Sequence, residues 1–348
     1  MGREVIAGLV SKGHTVYYDN IEGWDVDIYD VPDVIEVPAS DWPVDAPRLV
    51  IATPEFVLRH VGDNAPLYIY LAFEGDQISH AWVGLLDHTD KVIAISQFSA
   101  DTIIRGGVDA SKVLVAPCGV DSEFFSPLSN AEPHPFTFAA AMTPIHRKGP
   151  DALFRAYFRA FRRGEHNTRL IVKASPEHPS MEAQDFEGYL LDAAREEHAY
   201  SGAVESVTII RDIMEKDAVR GFLGQCDCFV SLHRSEGFGL WIAQAMSMEK
   251  PVIATAYSGN MEFMDNINSF PVEPDGMEYI EHMPTVSCYT PQMMWATPNI
   301  DLAVKAMRYV VGTPGDAARK GRAARHTITT QFSWLNTVKI LEDVMRDE

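Results

Sequence analysis

The chain has 348 residues, 46% of them hydrophobic, enough to fill two cores rather than one. Its 49 Asp and Glu against 29 Lys and Arg give a net charge of -20, a balance that opposes binding to nucleic acid or to anionic lipid surfaces. No apolar run reaches the length of a membrane span, no basic segment leads into an apolar core at the N-terminus, and Cys118, Cys226, Cys228 and Cys288 lack metal-ligand spacing. The expectation is a cytoplasmic protein with reduced thiols, monomeric or homodimeric, without stable membrane insertion.

In chain order, Met1 to Ala7 reads as a first helix and His14 to Tyr18 as a strand. Further strands are predicted near Arg48 to Ala52, Leu67 to Leu71, Lys91 to Ile95 and Lys112 to Ala116. After the Pro-containing linker Ser126 to Pro135, a second series follows near Phe136 to Ala141, Arg169 to Lys173, Val207 to Ile210, Cys228 to Leu232 and Pro251 to Thr255. Short apolar runs alternating with helical periodicity predict parallel sheets covered by helices, hence an α/β protein of two Rossmann-like domains, 1–130 and 131–332. Two such domains facing one another place a cleft at the carboxyl ends of their strands. In the helix from Leu153, Arg155, Arg159, Arg162 and Arg163 lie opposite Leu153, Ala156, Ala160 and Phe161, which reads as a solvated face.

The most informative stretch runs from Cys228 to Glu262. An apolar strand with Val230 and Leu232 stops at Arg234, and Leu240, Ile242, Ala243, Ala245 and Met246 make one apolar helical face. Between them Gly237 and Gly239 flank Phe238 at the helix mouth, where the backbone can approach a ligand and present unpaired amides and the positive dipole end to phosphate oxygens. Glu236 lies beside that pocket. A carboxylate suits hydroxyl groups, so a sugar attached to a diphosphate satisfies both halves. A strand, Gly turn and helix also occur as a purely structural turn in many α/β proteins.

The string S-E-G-F-G-L, with an amide at Gln244 and P-V-I-A-T beyond, resembles the signature of the retaining glycosyltransferases of the GT-B fold, family 4 (glycosyltransferase group 1). Asp90 to Ser99, Val115 to Pro127 and the tail from Phe332 extend the resemblance over nearly the whole chain. It implies that Glu236 holds hydroxyls of the donor sugar, while Gln244 stands where the family carries a second acid for the ribose; an amide still bonds a hydroxyl but without charge assistance. Arg147-Lys148-Gly149 is similar to the family's Arg-Lys-Gly turn, so Lys148 is expected to neutralise the donor diphosphate with Arg147 beside it. Many relatives carry an Arg where Met142 stands, and Lys173 is a candidate to supply that charge. Arg211 is a candidate to flank the nucleobase, and Gly237, Phe238, Gly239 and Leu240 to bind the donor through their amides. On the N-terminal side, Glu74 or Asp76 could assist deprotonation of the acceptor; the alternative is that they cap the helix near Ile78 to Leu86.

The resemblance also implies that the last helix, 333–348, packs back on the first domain with Trp334 at the junction, and that the family's first, central strand is lacking here. The implied reaction is transfer of a hexosyl group with retention, from a UDP- or GDP-linked donor to a glycan, lipid-linked or small-molecule hydroxyl, without a cofactor or catalytic metal. The D-x-D at Asp25 to Asp27 lies far from the donor signature. Two further readings stay open: a GT-B phosphorylase or epimerase, and a degenerate, non-catalytic sugar-nucleotide binder, which Met142 and Gln244 favour.

Overall fold

A computed structural model describes residues 1–19, 34–62, 64–128, 134–162, 167–174, 186–280 and 288–346. Asp25, Asp27, Arg163 and the middle of the linker lie outside them. The chain forms two compact units, one of residues 1–119 with 331–348, the other of residues 120–330.

In the first unit, helix α1 (Gly2–Ser11) leads to β1 (Val16–Tyr18), which pairs in parallel with β2 (Val34–Glu36). A separate parallel sheet holds β3 (Arg48–Val50), β4 (Leu67–Leu71), β5 (Lys91–Ala94) and β6 (Val113–Val115) in that spatial order, with α2 (His80–Leu86) and α3 (Gln97–Gly106) in the connections. Among the described residues no strand joins the two sheets. All five residues of β4 are buried, as a continuous apolar run in a sheet covered on both faces requires. The last helix, α11 (Trp334–Arg346), lies so close to α1 that a Cβ on Gly8 would meet Val338 Cγ2 at 2.4 Å. Its Glu342 is buried and accepts from His14 Nε2 at 2.7 Å and pairs with Lys12 at 3.3 Å.

The second unit is a six-stranded, all-parallel sheet. Its strands are β7 (Phe136–Met142), β8 (Thr168–Ala174), β9 (Val207–Ile210), β10 (Cys228–Ser231), β11 (Val252–Thr255) and β12 (Phe270–Val272), in the spatial order β12-β11-β10-β7-β8-β9. Helices α4 (Pro150–Phe161), α5 (Phe186–Glu196), α6 (Ser201–Glu205), α7 (Lys216–Gly224), α8 (Leu240–Ser247), α9 (Ile300–Gly312) and α10 (Pro314–Gln331) cover it. A hairpin of β13 (Gly276–Tyr279) and antiparallel β14 (Met294–Thr297) is added after β12. The sequence predicts every strand of the two series to within two residues at each end, and misses β2, β12 and this hairpin.

Helix α4 differs from its sequence reading. Phe154, Tyr157 and Phe158 are buried along with Leu153, Ala156, Ala160 and Phe161, so the helix is sunk into the core between sheet, α5 and α9. Its arginines are engaged rather than merely solvated: Arg159 forks onto Glu197 at 2.8 and 2.6 Å, and Arg155 pairs with Glu196 at 3.0 Å. Phe138 on β7 is fully buried, with ring centroids 5.0 Å from Phe136 and 5.5 Å from Phe161. Truncation of Phe138 to Ala is expected to lower unfolding stability by about 3–5 kcal/mol, because the cavity would open among rigidly held rings. Urea unfolding of parent and variant measures it, and a loss below about 1 kcal/mol would mean that this ring cluster is not the centre of the core.

Candidate functional site

From β7 the chain winds outward through β8 and β9, then returns to lay β10 on the other side of β7 and winds outward again through β11 and β12. Connections therefore leave the carboxyl ends of β7 and β10 in opposite directions. The space between them is the switch point at which open parallel sheets leave room for ligands. Arg147 and Lys148 follow β7, and Arg234, Ser235 and Glu236 follow β10. The same sheet edge receives Lys173 from the end of β8, Arg211 just beyond β9 and Ser258 beyond β11.

These two segments are tied together by backbone. Arg234 N donates to Arg147 O at 2.8 Å, and Arg147 Nη1 returns a bond to Ser235 O at 3.0 Å. Gly149, at φ +67°, ends the turn His146–Lys148, and a Cβ there would stand 1.9 Å from Leu232 O. Only glycine permits both the left-handed backbone and the approach. This passage brings Lys148 Nζ to 2.6 Å from Glu236 Oε1, with Arg147 Nη1 3.9 Å from Oε2. The Glu236 side chain is 14% exposed and that of Lys148 22%. Burial pushes the Glu236 carboxyl up, but the neighbouring charges, Lys148 first and then Arg147, outweigh it and hold it down at about 2.

The glycine elbow rests on the loop after β11. Glu236 N donates to Ser258 Oγ at 2.7 Å and Gly259 N to Glu236 O at 2.9 Å, while a Cβ on Gly259 would lie 1.9 Å from Gly237 O. Gly239, at φ +90°, is the N-cap of α8 and supplies no side chain to the first turn. The ring of Phe238 is buried against Phe263, at 4.9 Å between centroids, so its contribution to a ligand is confined to its backbone amide.

Sequence reasoning misses the polar network beneath. His233 is fully buried: its Nδ1 lies 2.9 Å from Ser231 Oγ, and its Nε2 lies 3.0 Å from Asn260 Oδ1 and 3.3 Å from Tyr257 O. Asn260 Nδ2 donates to Thr255 O, which turns its oxygen toward the ring, so Nε2 carries the proton and Nδ1 accepts from Ser231. Burial pushes the imidazole's pKa down, which favours this neutral form. Arg234, 5% exposed, forks onto Asp151 with two bonds of 2.9 Å. The Arg234–Asp151 pair could not be read from spacing, since 83 residues separate the two.

The remaining candidates are placed as follows. Lys173 is buried and donates from Nζ to Ala174 O at 2.6 Å; burial pushes its ammonium pKa down, against the opposing charge of Asp212. Arg211 pairs with Glu187 on an exposed surface. Gln244 is half-buried on α8, and Met142 is buried at the end of β7. In the first unit, Glu74 and Asp76 follow β4 in a loop fastened to α3, with Thr102 Oγ1 donating to Gly75 O and the Arg105 guanidinium to Asp76 O. The N-cap of α2 is Ser79, whose hydroxyl accepts from Trp82 N, so neither carboxylate caps that helix.

Residues 133–285 match the family model described as glycosyl transferases group 1. No protein of curated function matches the chain by sequence. A glycosyltransferase from Rickettsia africae is similar in structure at a TM-score of 0.74 and 19% identity, over 99% of this chain and 93% of the other. The sucrose-phosphate synthase of Thermosynechococcus elongatus aligns at 0.69 and 17% identity, over 99% and 92%. Anabaena HepE, solved with UDP and glucose, aligns at 0.67 and 17% identity, over 86% and 78%. The fold is thus that of the GT-B glycosyltransferases, with two Rossmann-like units.

The depressed Glu236 carboxyl has a consequence for stability. Its folded value of about 2 lies below the ordinary 4.5, so the ion pair contributes fully above about pH 4.5 and its contribution is lost as pH falls toward 2. The stability gap between parent and Glu236→Gln is expected to be on the order of 2–3 kcal/mol at pH 6 and to shrink by about half at pH 3. Urea titrations at the two pH values measure it, and a gap independent of pH would show that the pair is not formed.

Proposed function

We propose that the chain is a retaining, family 4 glycosyltransferase that moves a hexosyl group from a UDP- or GDP-linked sugar to a hydroxyl acceptor without a catalytic metal. The observation that carries this reading is the Lys148–Glu236 contact at the switch point of the six-stranded sheet, beside the glycine-capped N-terminus of α8. A cation and free amides suit a diphosphate, and a carboxylate held ionised suits sugar hydroxyls. In the absence of donor the two charges satisfy each other. A bound donor would give each its own partner, with the diphosphate on Lys148 and the sugar on Glu236.

In this reaction the bond between the anomeric carbon and the diphosphate oxygen breaks, its electron pair stays on the phosphate, and the acceptor oxygen bonds the same face. The acceptor's proton passes to the departing phosphate or to Glu74. The transition state is oxocarbenium-like, so the rate depends on stabilising the leaving charge through Lys148, Arg147 and the amides of Gly237 to Leu240. Lys173 adds charge at the next strand end, Gln244 holds the ribose, and Arg211 flanks the base after release from Glu187. The match over 133–285 supports the transfer chemistry, and HepE's UDP and glucose support the donor class. Four buried free cysteines suit a reducing cytoplasm, and no described helix is long and apolar enough to cross a membrane. Gln244 in place of a second acid favours one other reading, a non-catalytic sugar-nucleotide binder.

A thermal-shift screen of UDP- and GDP-hexoses, followed by donor-turnover assays, tests the proposal. Lys148→Ala is expected to lose about 10²–10³-fold in kcat, the scale of removing one electrostatic stabiliser of a leaving group, and Glu236→Ala, which loses the hold on the sugar hydroxyls, is expected to lower kcat as well. Turnover by both at the parental rate would refute the assignment. Stabilisation by a donor that is never consumed would select the binder.

A further inference from the structure

The hairpin β13–β14 is the part of the second unit that the site described above does not use, yet its inward carboxylate reaches that site. Along β13, Met277 and Tyr279 are exposed and Glu278 between them points inward. Glu278 Oε1 stands 2.5 Å from Arg234 Nε, 3.0 Å from His146 Nε2 and 3.0 Å from Trp295 Nε1, and Oε2 accepts from Thr297 Oγ1 at 3.0 Å. Trp295 is 1% exposed, so the carboxylate sits on a rigid floor supplied by β14. Ala296 N donates to Arg234 O at 3.1 Å, a second tie from the same strand.

Both Arg234 and His146 belong to the segments that carry Lys148 and Glu236. His146 begins the turn that ends in Lys148, and Arg234 Nη1 donates to His146 O at 2.8 Å. Arg234 is two residues from Glu236, and its backbone N–H holds Arg147 O. The Glu278 carboxylate therefore bridges the segment after β7 to the segment after β10. We propose that Glu278 is a positioning residue: through Arg234 and His146 it fixes the spacing between the ammonium and the carboxylate that grip the donor. Asp151 fixes the far end of the same guanidinium, so Arg234 is clamped between an acid of α4 and an acid of the hairpin. The family match ends at residue 285, so β14 lies beyond it.

The proposal rests on the donor-transfer reading, and the test separates the two. Glu278→Gln keeps the shape and removes the charge that holds Arg234 and His146 together. Leaving-group stabilisation is the most geometry-dependent part of the reaction, so kcat with the hexose donor found in the screen is expected to fall about 10- to 100-fold. The donor KM should change less than kcat, about threefold or under. Thr297→Val, which removes one donor to Glu278 and keeps the packing, should lower kcat in the same direction by a smaller factor and serves if Glu278→Gln does not fold. Tyr279→Ala, on the outer face of the same strand, should match the parent. A lower unfolding temperature with parental kcat and KM in both site-facing variants would make the hairpin merely structural and overturn the proposal. If Lys148→Ala loses turnover while Glu278→Gln does not, only this inference falls; a parent inert toward every donor overturns the transfer reading and this inference with it.

Discussion

The close crossing of two backbone segments at the centre of the six-stranded sheet is the constraint on which the rest depends. Gly149 passes under the Leu232 carbonyl, and the segments exchange bonds between Arg234 N and Arg147 O and between Arg147 Nη1 and Ser235 O. A side chain at Gly149 would push the two apart, and Lys148 would no longer reach Glu236. Parallel topology makes this crossing possible: adjacent strands whose connections diverge leave their carboxyl ends open, and here each open end carries a charged loop.

Charge is distributed to suit that crossing. A chain of net charge -20 repels an anion over most of its surface, so a diphosphate needs a local cluster of cations. Arg147, Lys148 and Arg234 gather within a few residues of two strand ends, and Glu236, Asp151 and Glu278 hold them in place. Burial alone would push up the carboxyls of Glu236 and Glu278, yet both are held at about 2, because each faces more than one hydrogen-bonding or cationic partner. A buried charge with one partner is fragile; one with two sets direction as well as neutrality.

Much of this was legible in the sequence, for reasons that differ by residue. Leu67–Leu71 is a continuous apolar run, Val207–Ile210 is one broken only by Thr208, and the elbow Ser235 to Leu240 announces itself by its glycines. The hairpin did not: Gly276–Tyr279 opens on glycine and alternates polar with exposed apolar residues, and β12 contains Pro271. Clamping residues were hidden for another reason. Arg234 meets partners 83 and 44 residues away, and side-chain pairing at that separation leaves no periodic trace. Ser258, at φ +77°, holds a backbone shape that favours glycine while its hydroxyl receives Glu236 N, a role no local pattern signals. Acids precede α2, so the sequence leaves Glu74 and Asp76 open as its caps; Ser79 stands closer to the first turn and takes that place.

The most direct measurement is a crystal structure with an intact UDP- or GDP-hexose whose transfer has been slowed. The diphosphate is expected within hydrogen-bond distance of Lys148 Nζ and the amides of Gly237 to Leu240, with a sugar hydroxyl on the Glu236 carboxylate. A nucleotide sugar bound elsewhere, with Lys148 and Glu236 still paired to each other, would contradict it.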